Sequence, residues 1–171
     1  RMAVELQEPA LRLMTWIENN KQPALADWFI EALVSRPLAE IAAEPRVVQP
    51  LGPILEQHQR NIAIIGKAAK LEKGVVHFDA ADEALGAFNK FITYYLFPEA
   101  RYSVGLTLGA RAKISVGSNP WSKVPRTHEI NKICEKYGGG GHPVVGAVSV
   151  PRDELPRARE IASAIIAELQ T

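Results

Sequence analysis

The chain has 171 residues, of which 47% are apolar, and its formal net charge at pH 7 is +1. This length predicts one domain, or one domain with a smaller helical part, and the apolar content is sufficient for a sizeable core. No apolar run is long enough to cross a bilayer and no secretory leader is visible, so we expect no membrane partner. The single cysteine, Cys134, excludes an internal disulfide and favours a reducing, cytoplasmic location.

Residues 1–74 have the pattern of helices separated by prolines. Between Pro37 and Pro45 only a short helical segment fits, and a longer helix is expected from about Pro53 to Lys73. His58 falls on the apolar side of that helix, which is typical of a packed histidine. An earlier helix has an apolar stripe at helical spacing, formed by Leu25, Trp28, Phe29, Ala32 and Leu33. We interpret residues 1–74 as an α-helical linker or arm that carries no chemical motif.

From residue 75 onward, short strands and helices alternate. The pattern predicts a strand at 75–78, a helix with Asp82 as its N-cap, and a hairpin formed by 102–108 and 111–117. The helix after Asp82 would place Leu85, Phe88, Ile92 and Tyr95 on one face. A short helix capped by Thr127, an apolar strand at 144–150 and a final helix after Asp153 complete the chain. We therefore predict an α/β domain over residues 75–171, with a mixed β-sheet flanked by helices.

The predicted hairpin has an apolar face and a face of small and polar residues. Small residues such as Ser103 and Gly105 leave room for a molecule to lie against the sheet. The run from Ala100 to His128 contains no carboxylate. Its cations are Arg101, Arg111, Lys113, Lys123 and Arg126. This run is either a solvated strand surface or a surface for anionic ligands.

Three residues near the end of the hairpin have alternative interpretations. Ser118 and Asn119 are good turn formers, which accounts for them without a ligand. Trp121 is either a local core plug, which we favour, or an exposed stacking surface.

Four consecutive glycines, Gly138–Gly141, precede His142 and Pro143. Gly138 is explained as a helix stop, but the other three glycines are not. The glycines follow a helix and precede a strand, which is the reverse of the order in phosphate-binding P-loops and dinucleotide-binding motifs. We therefore predict a tight loop in which successive backbone N–H groups form a nest for an anion, with His142 as an additional donor.

Several segments together resemble the DHHA1 domain of the DHH phosphoesterase family. They are the glycines with His142-Pro143, the strand with Gly146, Lys113–Val116, the turn at Ser118-Asn119 and the helix ending at Cys134–Tyr137. The resemblance covers about residues 75–171. Related domains at the end of alanyl-tRNA synthetases usually lack the Gly-His-Pro ending, so the phosphoesterase branch is the better match.

The resemblance implies a division of labour between two domains. In this family an N-terminal domain with Asp-His-His motifs holds two metal ions, usually manganese, and the DHHA1 domain closes over the substrate. Carried onto this chain, the substrate loop comprises Gly139, Gly140, Gly141 and His142. We add Arg111, Lys113, Ser118 and Asn119 as candidate substrate-binding residues.

The chain departs from the family pattern in two respects. Gly117-Ser118 stands where many relatives have an Arg-Ser pair, so the substrate is left open among oligonucleotides, cyclic dinucleotides, nucleotide phosphates and polyphosphate. No Asp-His-His string occurs, so we expect no catalytic residue and no metal ligand here. The chain is interpreted as the C-terminal part of a longer phosphoesterase, partnered by its own N-terminal DHH domain. A homodimer is left open.

Two other functions remain as hypotheses. A stand-alone nucleic-acid-binding module would need exposed aromatic residues for stacking, and only Tyr102 and Trp121 are candidates in the basic run. A purely structural α/β domain would need one glycine for a tight turn, and the run Gly138–Gly141 has four.

Overall fold

The computed structural model describes residues 1–20, 22–83, 85 and 88–171. Contacts divide the chain into two compact units, Arg1–Arg60 and Asn61–Thr171. The predicted boundary between 74 and 75 lies further along the chain than this division. The division of function between a helical arm and an α/β domain stays a prediction.

The N-terminal unit is helical and has its own core. Its helices are α1 (Met2–Glu5), α2 (Pro9–Asn19), α3 (Pro23–Ser35), α4 (Leu38–Ala42) and the first part of α5 (Pro45–Ala68). Proline is favourable at the start of a helix because the N–H that it lacks has no intrahelical partner there. The buried residues of this core include Leu13, Trp16, Phe29, Ala32, Ile41, Val47 and Leu51.

His58 is a packed histidine, as predicted. Its side chain is buried, and its Nε2 lies 2.7 Å from the carbonyl oxygen of Val4. The indole Nε1 of Trp16 donates to the carbonyl oxygen of Arg46 at 3.1 Å in the same unit. These two hydrogen bonds satisfy polar atoms that would otherwise be costly to bury.

The predicted limits of the long helix, Pro53 and Lys73, are wrong at both ends. Helix α5 begins at Pro45 and accommodates two further prolines, Pro50 and Pro53. It ends at Ala68 because Lys70–Glu72 form strand β1, which pairs with the next strand. Although α5 has 24 residues, neither it nor any other helix in the described part of the chain is apolar enough to span a membrane.

The C-terminal unit is built on a six-stranded sheet in the order β1-β2-β3-β4-β6-β5. After β1 come β2 (Val75–Ala80), β3 (Tyr102–Leu108), β4 (Arg111–Ser118), β5 (Gly140–His142) and β6 (Val145–Pro151). Strands β2 and β3 are parallel, and their connection contains α6 (Ile92–Leu96). The other neighbouring strands are antiparallel. The predicted fold class, a mixed sheet flanked by helices with further helices before it, is confirmed.

One face of the sheet is covered by α7 (Ile130–Glu135) and α8 (Leu155–Leu169). Alternate residues of β3, β4 and β6 point toward these helices, as expected from the period of two in a strand. The covered core includes Val104, Leu106, Ile114, Val116, Val148, Val150, Ile130, Ile133, Ile161 and Ile165. The residues in between lie on the opposite face, called here the open face. Along β4, β6 and β5 this face is not covered by α7 or α8.

Two predicted helix starts differ from the structure. Within the predicted helix after Asp82, Ala84, Gly86 and Ala87 lie outside the described residues, and α6 begins only at Ile92. Thr127 does not cap α7, whose N-cap is Glu129. The backbone N–H of Thr127 instead donates to the hydroxyl of Tyr102 at 2.6 Å, which holds Thr127 against the sheet.

The burial of Cys134 gives a testable prediction about thiol reactivity. Burial, together with the charge of Glu135, raises the pKa of the Cys134 thiol to about 11. At pH 8 only about one thiol in a thousand is then ionised, and thiolate is the reactive form. We expect the native chain to react with a disulfide reagent at least about a hundredfold more slowly than the chain in guanidinium. Equally fast reaction of the native chain would contradict the buried placement.

Candidate functional site

The glycine segment is a helix end followed by an edge strand, so the predicted loop is wrong. The N–H of Gly138 donates to the carbonyl of Glu135 at 3.1 Å, and that of Gly139 donates to the carbonyl of Cys134 at 2.9 Å. These two bonds form a Schellman motif, which satisfies the last carbonyls of α7. The chain then enters β5, in which Gly140 pairs with Ala147 and His142 pairs with Val145.

This geometry also overturns the predicted nest of N–H groups. A nest needs consecutive N–H groups that converge on one point. The amides of Gly138 and Gly139 are used by the helix end, and successive N–H groups in a strand point in alternate directions. An anion bound at this segment would therefore be contacted by side chains and would lie against the surface of the strand.

Three of the four glycines are required by the fold. Gly138 has a φ of +74°, and Gly141 has a φ of +152°, values that residues with a Cβ rarely adopt. A Cβ at Gly139 would collide with the carbonyl oxygen of Ala147, and one at Gly141 would collide with the carbonyl of Val145. Gly140 is different, because a Cβ there would meet no described atom within 4 Å and its φ is not in the left-handed range.

The open face brings Gly140 beside polar and cationic residues of neighbouring strands. One row across the sheet is Gly140, Ala147 and Ser115, and the row on one side of it is His142, Val145 and Gly117. The row on the other side joins Ser149 to Lys113. His142, Lys113 and Ser149 are exposed. The result is a shallow surface of small residues between an imidazole and an ammonium group.

The cations of this face are held differently. The Arg111 guanidinium donates through Nη2 to the carbonyl oxygen of Ser149 at 3.0 Å, which fixes it along β6. Among the described residues, the side chains of Lys113 and His142 have no hydrogen-bond or ion-pair partner. These two groups are therefore available to a ligand without breaking an internal bond.

The half of the open face on β2 and β3 is occupied by the protein's own rings. The ring of Phe78 lies over Gly105 so closely that a Cβ there would collide with it. The hydroxyl of Tyr94 is 2.8 Å from that of Ser103, and burial raises the Tyr94 pKa to about 12 despite this bond. The small residues of β3 thus make room for Phe78 and Tyr94, and only the β4–β6–β5 half remains for a ligand.

Ser118 and Asn119 make hydrogen bonds that shape the end of β4. The Ser118 hydroxyl donates to the carbonyl of Val144 at 3.1 Å. The Asn119 side chain is buried, and its Nδ2 donates to the carbonyls of Pro98 at 3.2 Å and Ala100 at 2.8 Å. Its Oδ1 accepts from the N–H of Trp121 at 3.0 Å. Ser118 borders the β5–β6 turn, whereas Asn119 ties together the segments on either side of the hairpin.

Trp121 is not the core plug that we favoured. The residue is 58% exposed, and its ring makes a T-shaped contact with Phe91 at a centroid distance of 5.0 Å. The other aromatic candidate for stacking, Tyr102, is buried, and its hydroxyl accepts from the N–H groups of Thr127 and His128. Burial opposes ionisation of Tyr102, but these hydrogen bonds and the charge of Arg101 outweigh it and lower the pKa.

The sequence pattern did not predict that Tyr94 lies against the open face. It placed Tyr95 on the apolar side of a longer helix, whereas α6 begins later and buries Tyr94. The small residues Ser103 and Gly117 were the available signal, because both lie beside the Tyr94 hydroxyl.

No group of three or more His, Cys, Asp or Glu side chains within the described ranges could hold a metal ion. His77 and Asp79, which share a face of β2, have other partners. The His77 Nε2 lies 3.5 Å from a carboxylate oxygen of Glu72, and Asp79 accepts from Arg159 at 2.7 Å.

Comparisons with known proteins support the fold. No protein-family model and no curated protein matches the chain. Among solved structures it is similar to the pGpG-specific phosphodiesterase PggH from Vibrio cholerae, with a TM-score of 0.70 and 23% identity, covering 84% of this chain and 50% of that chain. An exopolyphosphatase-related protein from Bacteroides fragilis has a TM-score of 0.47 and 16% identity, covering 67% of this chain and 35% of that chain.

A third solved structure carries a DHH domain in its description. This member of the S1p family of ribosomal proteins has a TM-score of 0.49 and 16% identity, covering 74% of this chain and 34% of that chain. The chain spans about half the length of PggH. At 23% identity the likeness to PggH establishes the fold, so the chain folds like part of that protein.

Proposed function

We propose that this chain is the substrate-binding C-terminal part of a DHH-family phosphoesterase. The substrates would be phosphodiesters or phosphate esters in oligonucleotides, cyclic dinucleotides or nucleotide phosphates. The fold shared with PggH supports this proposal, as does the fact that the chain spans half of that protein. PggH is described as specific for pGpG, which makes a guanine nucleotide a reasonable first ligand to test.

Gly140 carries the proposal. The fold does not require a glycine there, since a Cβ would meet nothing within 4 Å. It lies on the open face, in the row between His142 and Lys113. A glycine without a structural reason, placed beside an available imidazole and an available ammonium group, indicates close approach of a ligand to the strand.

The chemistry follows from the side chains of this face. A phosphate group over Gly140 would accept a charge-assisted hydrogen bond from the protonated His142 imidazole. Lys113 would attract the anion as a flexible point charge, and Arg111 would extend the positive field along the strand. Ala147 and Ser115 have short side chains, so a phosphate group could contact the strands beside Gly140. In this proposal Gly139 and Gly141 allow β5 to pair closely with β6. Ser118 and Asn119 hold the end of β4 in position through their hydrogen bonds.

In this proposal the residues that carry out hydrolysis lie outside the 171 residues of this chain. The family resemblance implies two manganese ions in an N-terminal DHH domain of the same polypeptide, which would activate the attacking water. The residues described here would bind and orient the substrate against that domain. The proposal includes a cytoplasmic location and leaves open whether the complete protein is a homodimer.

The proposal predicts weak, salt-dependent binding of a mononucleotide such as GMP. Replacing His142 with alanine should weaken binding by about 5- to 150-fold, corresponding to about 1–3 kcal/mol for a bond to a charged group. Lys113→Ala should weaken binding and reduce the dependence of affinity on salt. Calorimetric titration at several salt concentrations measures both effects.

A matched control separates this site from general attraction by positive charge. Lys132 is exposed on α7, which packs against the other face of the sheet. Lys132→Ala removes the same charge and should leave GMP affinity and its salt dependence nearly unchanged. An equal effect at Lys132 and Lys113, or no saturable binding to the wild type, would overturn the proposal.

The exposed Trp121 also favours a second candidate, a stand-alone nucleic-acid-binding module. Such a module would bind a single strand along its length, so its affinity should rise steeply from a mononucleotide to a 12-mer. The substrate-binding part of a phosphoesterase for small substrates should gain little beyond a dinucleotide. The same titrations with oligonucleotides of increasing length distinguish the two.

A further inference from the structure

The segment from Asn119 to Glu129 is a loop fixed at several points beside the open face. Its start is held by the buried Asn119 amide, and its later part is held by the Tyr102 hydroxyl, which accepts from Thr127 and His128. Between these points the Arg126 guanidinium donates to the carbonyl of Pro143 at 3.0 Å. The loop is therefore tied both to the sheet and to the turn between β5 and β6.

This loop presents one large aromatic surface to solvent. Trp121 is 58% exposed, and its ring meets Phe91 at an interplanar angle of 65°. Its backbone N–H is bonded to the Asn119 side chain, which orders the residue at the base of the loop. The T-shaped contact with Phe91 supports the indole, and the exposure of Trp121 leaves ring surface available to another molecule.

Two sets of contacts link Trp121 to the end of the open face that carries His142. Along the chain, Trp121 follows Ser118, which is bonded to Val144 in the turn after His142. Through space, Trp121 contacts Phe91, which packs against the buried cluster that contains Tyr94. A Cβ at Gly117 would lie 3.1 Å from the Tyr94 hydroxyl. Gly117 is in the same row across the sheet as His142.

Several cations lie on the two chain segments that meet at Trp121. The Lys90 ammonium lies over the Phe91 ring, 5.5 Å from its centroid. Lys123 and Arg126 are exposed on the loop itself. Between Ala100 and His128 the sequence contains no carboxylate. This combination suits an anionic ligand that also carries a flat ring, since the ring stacks while the cations attract its phosphates.

We propose that Trp121 stacks on the nucleobase of the ligand whose phosphate lies beside Gly140 and His142. The inference rests on the proposed function and narrows its substrate class to nucleotides, at the expense of polyphosphate and other ligands without a base. Stacking on an aromatic ring accepts any base, so Trp121 would add affinity rather than select one base over another.

The test compares two phosphate esters that differ only in the base. GMP and ribose 5-phosphate are titrated by calorimetry into the wild-type chain, Trp121→Ala and Trp121→Phe. Trp121→Ala should weaken GMP binding by about 5- to 150-fold, the range measured for loss of one stacked base. It should leave ribose 5-phosphate binding unchanged, and Trp121→Phe should retain most of the GMP affinity. Val124→Ala, which removes another half-exposed side chain from the same loop, should match the wild type.

A second measurement does not depend on a folded variant. Stacking of guanine on the wild-type chain should shift the NMR signal of the Trp121 indole N–H, whereas ribose 5-phosphate should not shift it. Equal wild-type affinities for GMP and ribose 5-phosphate, or an unshifted indole signal at saturating GMP, would overturn the stacking inference and leave the phosphate site standing. If the wild type binds neither ligand, the proposed function and the inference both fail.

Discussion

Replacing Gly140 with valine should abolish nucleotide binding while leaving the fold intact. A Cβ at this position meets no described atom within 4 Å, so the branched side chain has space to project from the open face. Valine is also well suited to a strand. There it would stand in the row with Ala147 and Ser115, between His142 and Lys113, and block a phosphate from the strand surface. We expect affinity for GMP to fall at least about a hundredfold, close to 3 kcal/mol.

The control is the same substitution at a glycine that is equally free of contacts but lies elsewhere. At Gly109, in the turn between β3 and β4, a Cβ would also meet no described atom within 4 Å. Gly109→Val should bind GMP like the wild type. Circular dichroism establishes that both variants are folded. Wild-type affinity in folded Gly140→Val would mean that the open face does not bind the ligand at this strand.

Replacing Gly141 with alanine should instead destabilise the fold. The φ of +152° disfavours any residue with a Cβ, and that Cβ would lie 2.5 Å from the Cα of Gly146 and collide with the carbonyl of Val145. Strain and overpacking each cost about 1–3 kcal/mol, so we expect a loss of about 2–6 kcal/mol in the free energy of unfolding. Urea denaturation followed by circular dichroism measures this loss.

The neighbouring position supplies the comparison for this prediction. Gly140→Ala adds the same methyl group one residue earlier, where space is open, and should change stability by less than about 1 kcal/mol. If Gly141→Ala is too unstable to purify while Gly140→Ala is produced normally, the predicted difference in stability between the two variants is also confirmed. Equal stability of the two alanine variants would contradict the close contact between β5 and β6.

The hairpin of β3 and β4 could be predicted from the sequence because each strand buries one face. Tyr102, Val104 and Leu106 are buried, as their alternation indicates. The same reasoning failed for β1, since Lys70–Glu72 is too short for a period of two to be recognised. Its strand conformation comes from pairing with β2.

The glycine segment could be singled out from the sequence, but its conformation could not be predicted. Glycine has little preference for strand, so β5 forms through its partner β6 rather than through its own residues. The close contact of Gly139 with Ala147 depends on that pairing. The predicted site residues Gly140, His142, Lys113 and Arg111 do share one face, because the strands that carry them are neighbours of β6.

Local sequence patterns could not predict that Trp121 is exposed. Its supporting ring belongs to Phe91, thirty residues earlier in the chain, and its backbone is fixed by Asn119. An aromatic residue in a loop has no periodic neighbours from which burial could be inferred. Likewise, nothing local to Thr127 indicates that its N–H bonds to Tyr102 instead of starting a helix.

The two outer strands of the sheet, β1 and β5, have three residues each. The longer strands β3 and β4 lie between other strands, so their backbone groups are paired on both sides. An exposed long strand recruits strands from other molecules, which is a common route to aggregation. Here each outer strand offers only a few unpaired groups, and β1 adds the exposed charges of Lys70 and Glu72. Addition of a strand from another molecule at β1 or β5 should therefore be weak.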